Sequence, residues 1–186
     1  MTLTMERPAG AEVPVSEPEA APAPDGEVKP REFLIIAYSG DLEKVWAQMI
    51  LASTAAAMGV RTRIFVTFWG LPTFVRPGVR ITGENWMQKM MSGMKRPGIA
   101  HRKLSTMNFL GMGPWMMRKL ARRYSVASPA ELLEIAQAMG VEIMPCQMTM
   151  DMFGLKREDM IEGLGEPVGA ATVIGLISEG ATPLFI

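Results

Sequence analysis

Apolar residues along the chain fall into two recurring patterns, and the way these alternate predicts the fold class. Phe33-Leu34-Ile35-Ile36-Ala37 and Ile64-Phe65-Val66 are continuous apolar runs, as in strands buried on both faces. Between them Leu42, Val45, Trp46, Met49, Ile50, Ser53, Ala56 and Ala57 recur at helical spacing. The pattern predicts a strand over 32–38, a helix over 41–58 and a second strand over 61–68. Ser39-Gly40-Asp41 forms the first turn, Asp41 and Glu43 place negative charge at the helix start, and Gly59 caps its end. Such a unit is βαβ, with parallel strands and a right-handed crossover.

The same alternation returns late in the chain. Ser128-Pro129-Ala130-Glu131 is a capping box that opens a helix over 129–139, with Leu132, Leu133, Ile135, Ala136 and Met139 on its apolar face. Gly140 ends it, and Val141-Glu142-Ile143-Met144 reads as a buried strand closed by Pro145. A further helix is expected over 167–179, with Ala170, Ala171, Ile174 and Ile177 or Ser178 turned inward. Gly180 caps it, and a short strand over 182–186 follows. Strands and helices alternate, so the chain reads as an α/β domain with a largely parallel sheet.

Two stretches depart from this rhythm. Residues 1–30 are rich in Ala, Pro and Glu, with six acidic residues against Arg7 and Lys29. They hold almost nothing to bury and read as a disordered acidic tail before a domain over 31–186. Residues 70–124 read as an insertion with eleven basic residues, eight methionines and Glu84 as the only acid. Trp86, Met87, Met90, Met91 and Met94 have helical spacing, as do Trp115, Met116 and Leu120, with Lys119, Arg122 and Arg123 on the other side. Amphipathic helices covering the sheet are the plain reading. A partner-binding surface built on Arg118, Lys119, Arg122 and Arg123 is a second, and a peripheral contact with an anionic membrane a third. Lys+Arg and Asp+Glu number 19 each, so a neutral total hides an acidic tail and a basic insertion. No nucleic-acid module is recognisable, and the neutral total also argues against nucleic acid as a partner.

Composition narrows the chemistry. One cysteine excludes an internal disulfide and a CxxC redox cycle, and it fits a reducing, cytoplasmic setting. His101 is the only histidine, too few ligands for a typical structural zinc site, and no metal or other cofactor is expected. The longest apolar run, 168–177, is too short to span a bilayer, and the N-terminus lacks the basic start and apolar middle of a signal peptide. Methionine is abundant at 18 residues, and its flexible side chain suits irregular cores and adaptable surfaces alike.

Cys146 is the candidate reactive residue. It stands where the strand over 141–144 ends and a helix begins. Ligands collect at the carboxyl ends of strands in an open parallel sheet, and the free N–H groups of a helix start favour an anionic sulfur. The N–H groups of Met148 and Thr149 are candidates for that role. In a parallel sheet the Ser39-Gly40-Asp41 loop lies on the same edge, so Ser39 is a further candidate donor, although these residues equally suit an ordinary helix start. A small buried hydrophobe is the plain reading of Cys146 itself. His101 has no evident orienting partner and reads as a surface residue rather than a general base. Cys146, Met148, Met150 and Met152 would align four sulfurs for Cu(I) if extended. In a helix only 146 pairs with 150 and 148 with 152, and core packing is the preferred reading.

Five stretches follow one another in the order of a known family. They are Ser39-Gly40-Asp41-Leu42-Glu43-Lys44, Ala57-Met58-Gly59-Val60, Thr67-Phe68-Trp69-Gly70-Leu71, Met107-Asn108-Phe109-Leu110-Gly111-Met112-Gly113-Pro114 and Cys146-Gln147-Met148-Thr149-Met150-Asp151. From about residue 32 onward the chain thereby resembles the DsrE/DsrF/DsrH-like family, in particular its second DsrE subfamily of sulfur-carrier proteins. The resemblance implies a three-layer α/β/α fold with a mostly parallel five-stranded sheet, assembled into homo-oligomers. It implies that Cys146 carries sulfane sulfur as a persulfide. It also implies TusA-like carriers and rhodanese-like sulfurtransferases as partners, in sulfur relay or sulfur oxidation. Such chains are also labelled peroxiredoxins, but a peroxide reductase needs a second thiol to resolve its sulfenic acid; this chain has none, so an outside thiol would be required, whereas a persulfide carrier needs only one sulfur anchor. The sequence therefore reads as an intracellular sulfur carrier or sulfurtransferase working through Cys146. The alternative is a non-catalytic binding module or peripheral membrane adaptor that uses the basic, Met-rich insertion.

Overall fold

The computed structural model describes residues 32–79, 97–106 and 111–186. The tail over 1–30, the methionine repeat between Trp86 and Met94, residues 107–110 and the side chain of His101 lie outside the described residues. Four strands are described: β1 Glu32–Ala37, β2 Arg61–Val66, β3 Glu142–Pro145 and β4 Thr182–Phe185. Five α-helices accompany them: α1 Leu42–Ala57, α2 Met112–Arg123, α3 Pro129–Ala138, α4 Gln147–Phe153 and α5 Ala170–Ser178. All strand pairs are parallel, in the order β3-β2-β1-β4.

Five strands were expected, and the described residues form four. At the open side of β3, where a fifth would lie, a short segment runs alongside. Gly165 donates its N–H to the Ile143 carbonyl (2.8 Å), Val168 donates to Pro145 (2.9 Å), and Gln147 donates to Val168 (3.0 Å). The pairing amounts to a single parallel bridge between Cys146 and Val168. The same bonds explain a shorter last helix. Val168 is tied to β3, so α5 begins at Ala170 rather than at residue 167.

Both edge strands carry a proline. In β3 the N–H of Cys146 turns toward β2 and reaches the Val66 carbonyl (2.9 Å), so the neighbouring Pro145 has its missing donor on the outer side. In β4 the N–H of Ile186 turns toward β1 and reaches Ile36 (3.0 Å), which by the same alternation places the missing donor of Pro183 outward. Pro-free β1 and β2 occupy the centre.

Helices cover both faces unequally. On one, Ile35, Ala37, Ile64, Val66 and Ile143 pack against Val45, Met49 and Ala52 of α1, with Leu133 and Ala136 of α3 in the same cluster. The Ser128–Glu131 capping box is formed as expected. Leu71, Phe74 and Val75 also lie in this core, on and just after the 3-10 turn Phe68–Phe74. The first residues of the stretch assigned to an insertion are thus core. The other face holds a smaller cluster of Leu34, Phe65, Met144, Cys146, Val173 and Ala181, roofed by α5.

The apolar faces differ from expectation in places. Ala170, Ala171 and Ile174 are exposed, and α5 turns Val173, Leu176 and Ile177 to the sheet. Its sequence is apolar nearly all round, so periodicity alone does not select a face. Ile50, Ile135 and Met139 likewise lie outside, while Gln48 of α1 is fully buried and donates to the Ile186 carbonyl (3.2 Å). Beyond the apolar contacts, Arg63 ties the strands together at their start by pairing with Glu32 and with Glu142 (2.8 Å).

Candidate functional site

Cys146 is the N-cap of α4, at the carboxyl end of β3, as the sequence predicts. Its side chain belongs to the smaller apolar cluster and is 4% exposed. Met144 shares that cluster. The backbone on either side of it is bonded to neighbouring segments. The N–H of Cys146 reaches Val66 (2.9 Å), that of Gln147 reaches Val168 (3.0 Å), and the Cys146 carbonyl accepts from Met150 (3.0 Å). A helix start leaves four N–H groups without intrahelical acceptors. With two of them spent, those of Met148 and Thr149 have no acceptor among the described residues, and they stand at the positions an N-cap side chain serves. Cys146 makes no side-chain cap bond here, so the thiol packs among apolar groups beside two donors it does not use.

Thr149 fixes the corner from below. It is fully buried, its hydroxyl lies 3.1 Å from that of Thr67, and it accepts the N–H of Phe68 (3.2 Å). Phe68 has a φ of 42°, a left-handed conformation costly for a bulky residue. The hydrogen bond to Thr149 helps hold it there. Beyond it the ring of Phe68 meets Tyr38 (5.7 Å), which stacks on Phe185 (5.7 Å), so an aromatic row runs along the carboxyl edge from β4 to β2. Sequence reasoning missed Thr67, Phe68 and Val168 as parts of this corner.

The other predicted residues lie apart from Cys146 to different degrees. Met148 is next to it but largely exposed. Met150 is buried and Met152 exposed, so the methionine sulfurs of α4 diverge. Among the described residues no group of three or more His, Cys, Asp or Glu is placed to hold a metal ion. Ser39 follows β1 on the same edge, but β2 intervenes, which sets it roughly 10 Å away by strand spacing. Its hydroxyl donates to Asp41 (3.0 Å), and Asp41 pairs with Lys44 (3.0 Å). The start of α1 is also closed over, because Leu42 donates its N–H to Lys103 (2.8 Å) and Ser105 donates to Glu43 (3.1 Å). In that strap Arg102 is buried and donates to Gly98 (3.1 Å). Burial pushes its pKa below the ordinary value, and Asp41 opposes the shift.

Two of the motifs quoted above meet at this edge. A side chain at Gly40 would fall on the Trp69 carbonyl, and one at Gly70 on the Ala37 carbonyl, so each glycine lets the Thr67–Leu71 turn press directly on the end of β1. Arg118, Lys119, Arg122 and Arg123 all lie on α2. Arg118 faces the body of the domain and donates to the carbonyls of Ala100 (2.8 Å) and Arg102 (3.3 Å). The other three point outward and are exposed.

Residues 29–185 match the DsrE/DsrF/DrsH-like family model. The chain is 34% identical over 152 residues to the uncharacterized protein YrkE of Bacillus subtilis, covering 82% of this chain and 94% of that one. It is 34% identical over 160 residues to a protein of Allochromatium vinosum named sulfur carrier protein DsrE2, covering 84% and 98%. The crystal structure of the ychN protein from E. coli superposes with a TM-score of 0.51 at 15% identity, over 84% of this chain and 99% of that one, and shares its fold. The protein described here belongs to the DsrE/DsrF/DrsH-like family.

Proposed function

We propose that the protein is a sulfur carrier that holds sulfane sulfur as a persulfide on Cys146. The observation that carries the reading is the position of the only thiol, at a helix N-cap where the Met148 and Thr149 N–H groups have no acceptor among the described residues. The likeness to a sulfur carrier protein supports it. In loading, the Cys146 thiolate attacks the outer sulfur of a donor persulfide. The donor S–S bond breaks, its thiolate leaves, and Cys146-S-S⁻ forms with no net oxidation. The outer sulfur then stands about 2 Å beyond the cysteine sulfur, which extends the reactive atom from a buried anchor. Unloading is the same step in reverse, with a partner thiolate attacking. TusA-like or rhodanese-like proteins suit that exchange, in a reducing cytoplasm. The exposed apolar residues Tyr38, Ile174 and Phe185 suit assembly of several copies, which light scattering showing a monomer would remove.

The test is intact-protein mass spectrometry after incubation with polysulfide, wild type beside Cys146→Ser. Wild type gains whole sulfur atoms that reductant removes, and the variant gains none. Equal gain by the variant sinks the reading. The burial of Cys146 favours a second reading, in which the thiol is packing and the protein binds without chemistry. A thiol that reacts only after unfolding establishes that one instead.

A further inference from the structure

We infer that α2 is a membrane-interface helix, with Met112, Met116 and Leu120 entering the acyl boundary of an anionic lipid surface and Lys119, Arg122 and Arg123 meeting its headgroups. The three apolar residues are four apart, so they form one line along the helix. They are 58%, 55% and 52% exposed, a line of large apolar side chains left in water. Tyr124 and Val126 extend it, also exposed. The helix is docked on its remaining side, where Gly113 and Pro114 are buried and Arg118 is spent on two carbonyls. What faces outward is therefore the apolar line with cations beside it, and α2 contains no acidic residue. Lys119 lies over the ring of Trp115 at 4.9 Å, which places an amphipathic indole among the cations. An in-plane helix combines such a cationic face, an apolar face and aromatic rings at the boundary. No helix of the described residues is long and apolar enough to cross a bilayer, so the contact is one of lying on the surface.

Charge complementarity selects the occupant. A second copy of α2 would bring Lys119, Arg122 and Arg123 against their like. The acidic tail could neutralise the cations, but its few large apolar residues would leave Met112, Met116 and Leu120 wet. An anionic bilayer satisfies both halves at once, and each surface cation adds about fivefold to binding.

The test is flotation of the full chain with phosphatidylglycerol/phosphatidylcholine vesicles and with pure phosphatidylcholine, at low and high salt. Binding to the anionic vesicles alone, weakened by salt, is expected. Lys119→Gln/Arg123→Gln should weaken it roughly 30-fold, and Met116→Gln/Leu120→Gln about tenfold or more. Both variants should keep the wild-type circular dichroism and the sulfur loading of Cys146, so this test and that of the sulfur reading fail separately. Absence of flotation overturns the inference, as does flotation unchanged in both variants. Binding to soluble poly-glutamate without flotation, insensitive to Met116→Gln/Leu120→Gln, also overturns it and identifies an acidic protein as the partner.

Discussion

Cys146 and Met116 are both sulfur-bearing residues on short helices, and their surroundings are opposite. Cys146 is 4% exposed, with its N–H bonded to β2 and its neighbours Pro145 and Gln147 bonded to the segment beyond β3. Met116 is 55% exposed, on a helix where only Gly113 and Pro114 are buried and Arg118 bonds the rest of the domain. The first position is a consequence of the sheet, because a residue that ends a central-facing strand inherits its neighbours. The second is not demanded by the core. A buried thiol can be held for chemistry that must exclude water, whereas a solvent-facing thioether offers only contact. The proposed sulfur carriage and the inferred lipid contact therefore rest on separate regions, and each can be damaged without the other.

The largest separation comes from core size. Phe74→Ala should cost about 4 kcal/mol in urea unfolding, since Phe74 is buried in the main cluster, while Leu120→Ala should change stability by no more than about 0.5 kcal/mol. A comparable loss from Leu120→Ala would place α2 in the fold's cooperative unit. A smaller effect is expected at the corner itself. Thr149→Val removes the acceptor for Phe68 N–H and strands the Thr67 hydroxyl, at about 2 kcal/mol. It should also speed alkylation of Cys146 in folded protein, and an unchanged rate would show that Thr149 does not guard the thiol. The smallest effect lies at the seam, where α2 hands over to α3 through the Ser128 cap. The Ser128 backbone N–H, with its side chain in support, holds the Glu131 carboxyl below its ordinary value of 4.5. Because the folded value is depressed, this contribution is present at neutral pH and is lost as pH falls through the folded-state value. The wild-type advantage over Glu131→Gln in unfolding midpoint should therefore begin to shrink as pH falls to the ordinary value of 4.5 and vanish below the lower folded-state value. An advantage constant down to strong acid would exclude the carboxylate as its source.

Much of this was legible in residues. Continuous apolar runs located the central strands, Ser128 and Glu131 the start of α3, and Pro145 before Cys146 the strand end that carries the thiol. The positions of the edges were also written there. A proline cannot donate to a ladder, so segments holding Pro145 and Pro183 belong outside and the proline-free ones inside. Other features had no linear signature. The apolar α5 turns a face to the sheet that its composition does not choose, because the bonds of Val168 set its entry. The strain at Phe68 belongs to a residue type that rarely adopts that backbone, and nothing in its neighbours announces it. Gln48 reads as a surface residue of α1 until the Ile186 carbonyl arrives beside it from far along the chain.

The outward prolines have a consequence for life at high concentration. A parallel sheet with bare edges is a template on which another chain can zip its own strand. Here one rim offers the backbone N–H of Phe185 flanked by Pro183, and the other is interrupted by Pro145 and shielded by the Gly165–Val168 segment. A chain that leaves Phe185 and Ile174 in water can then associate through side chains and still resist growth into fibres.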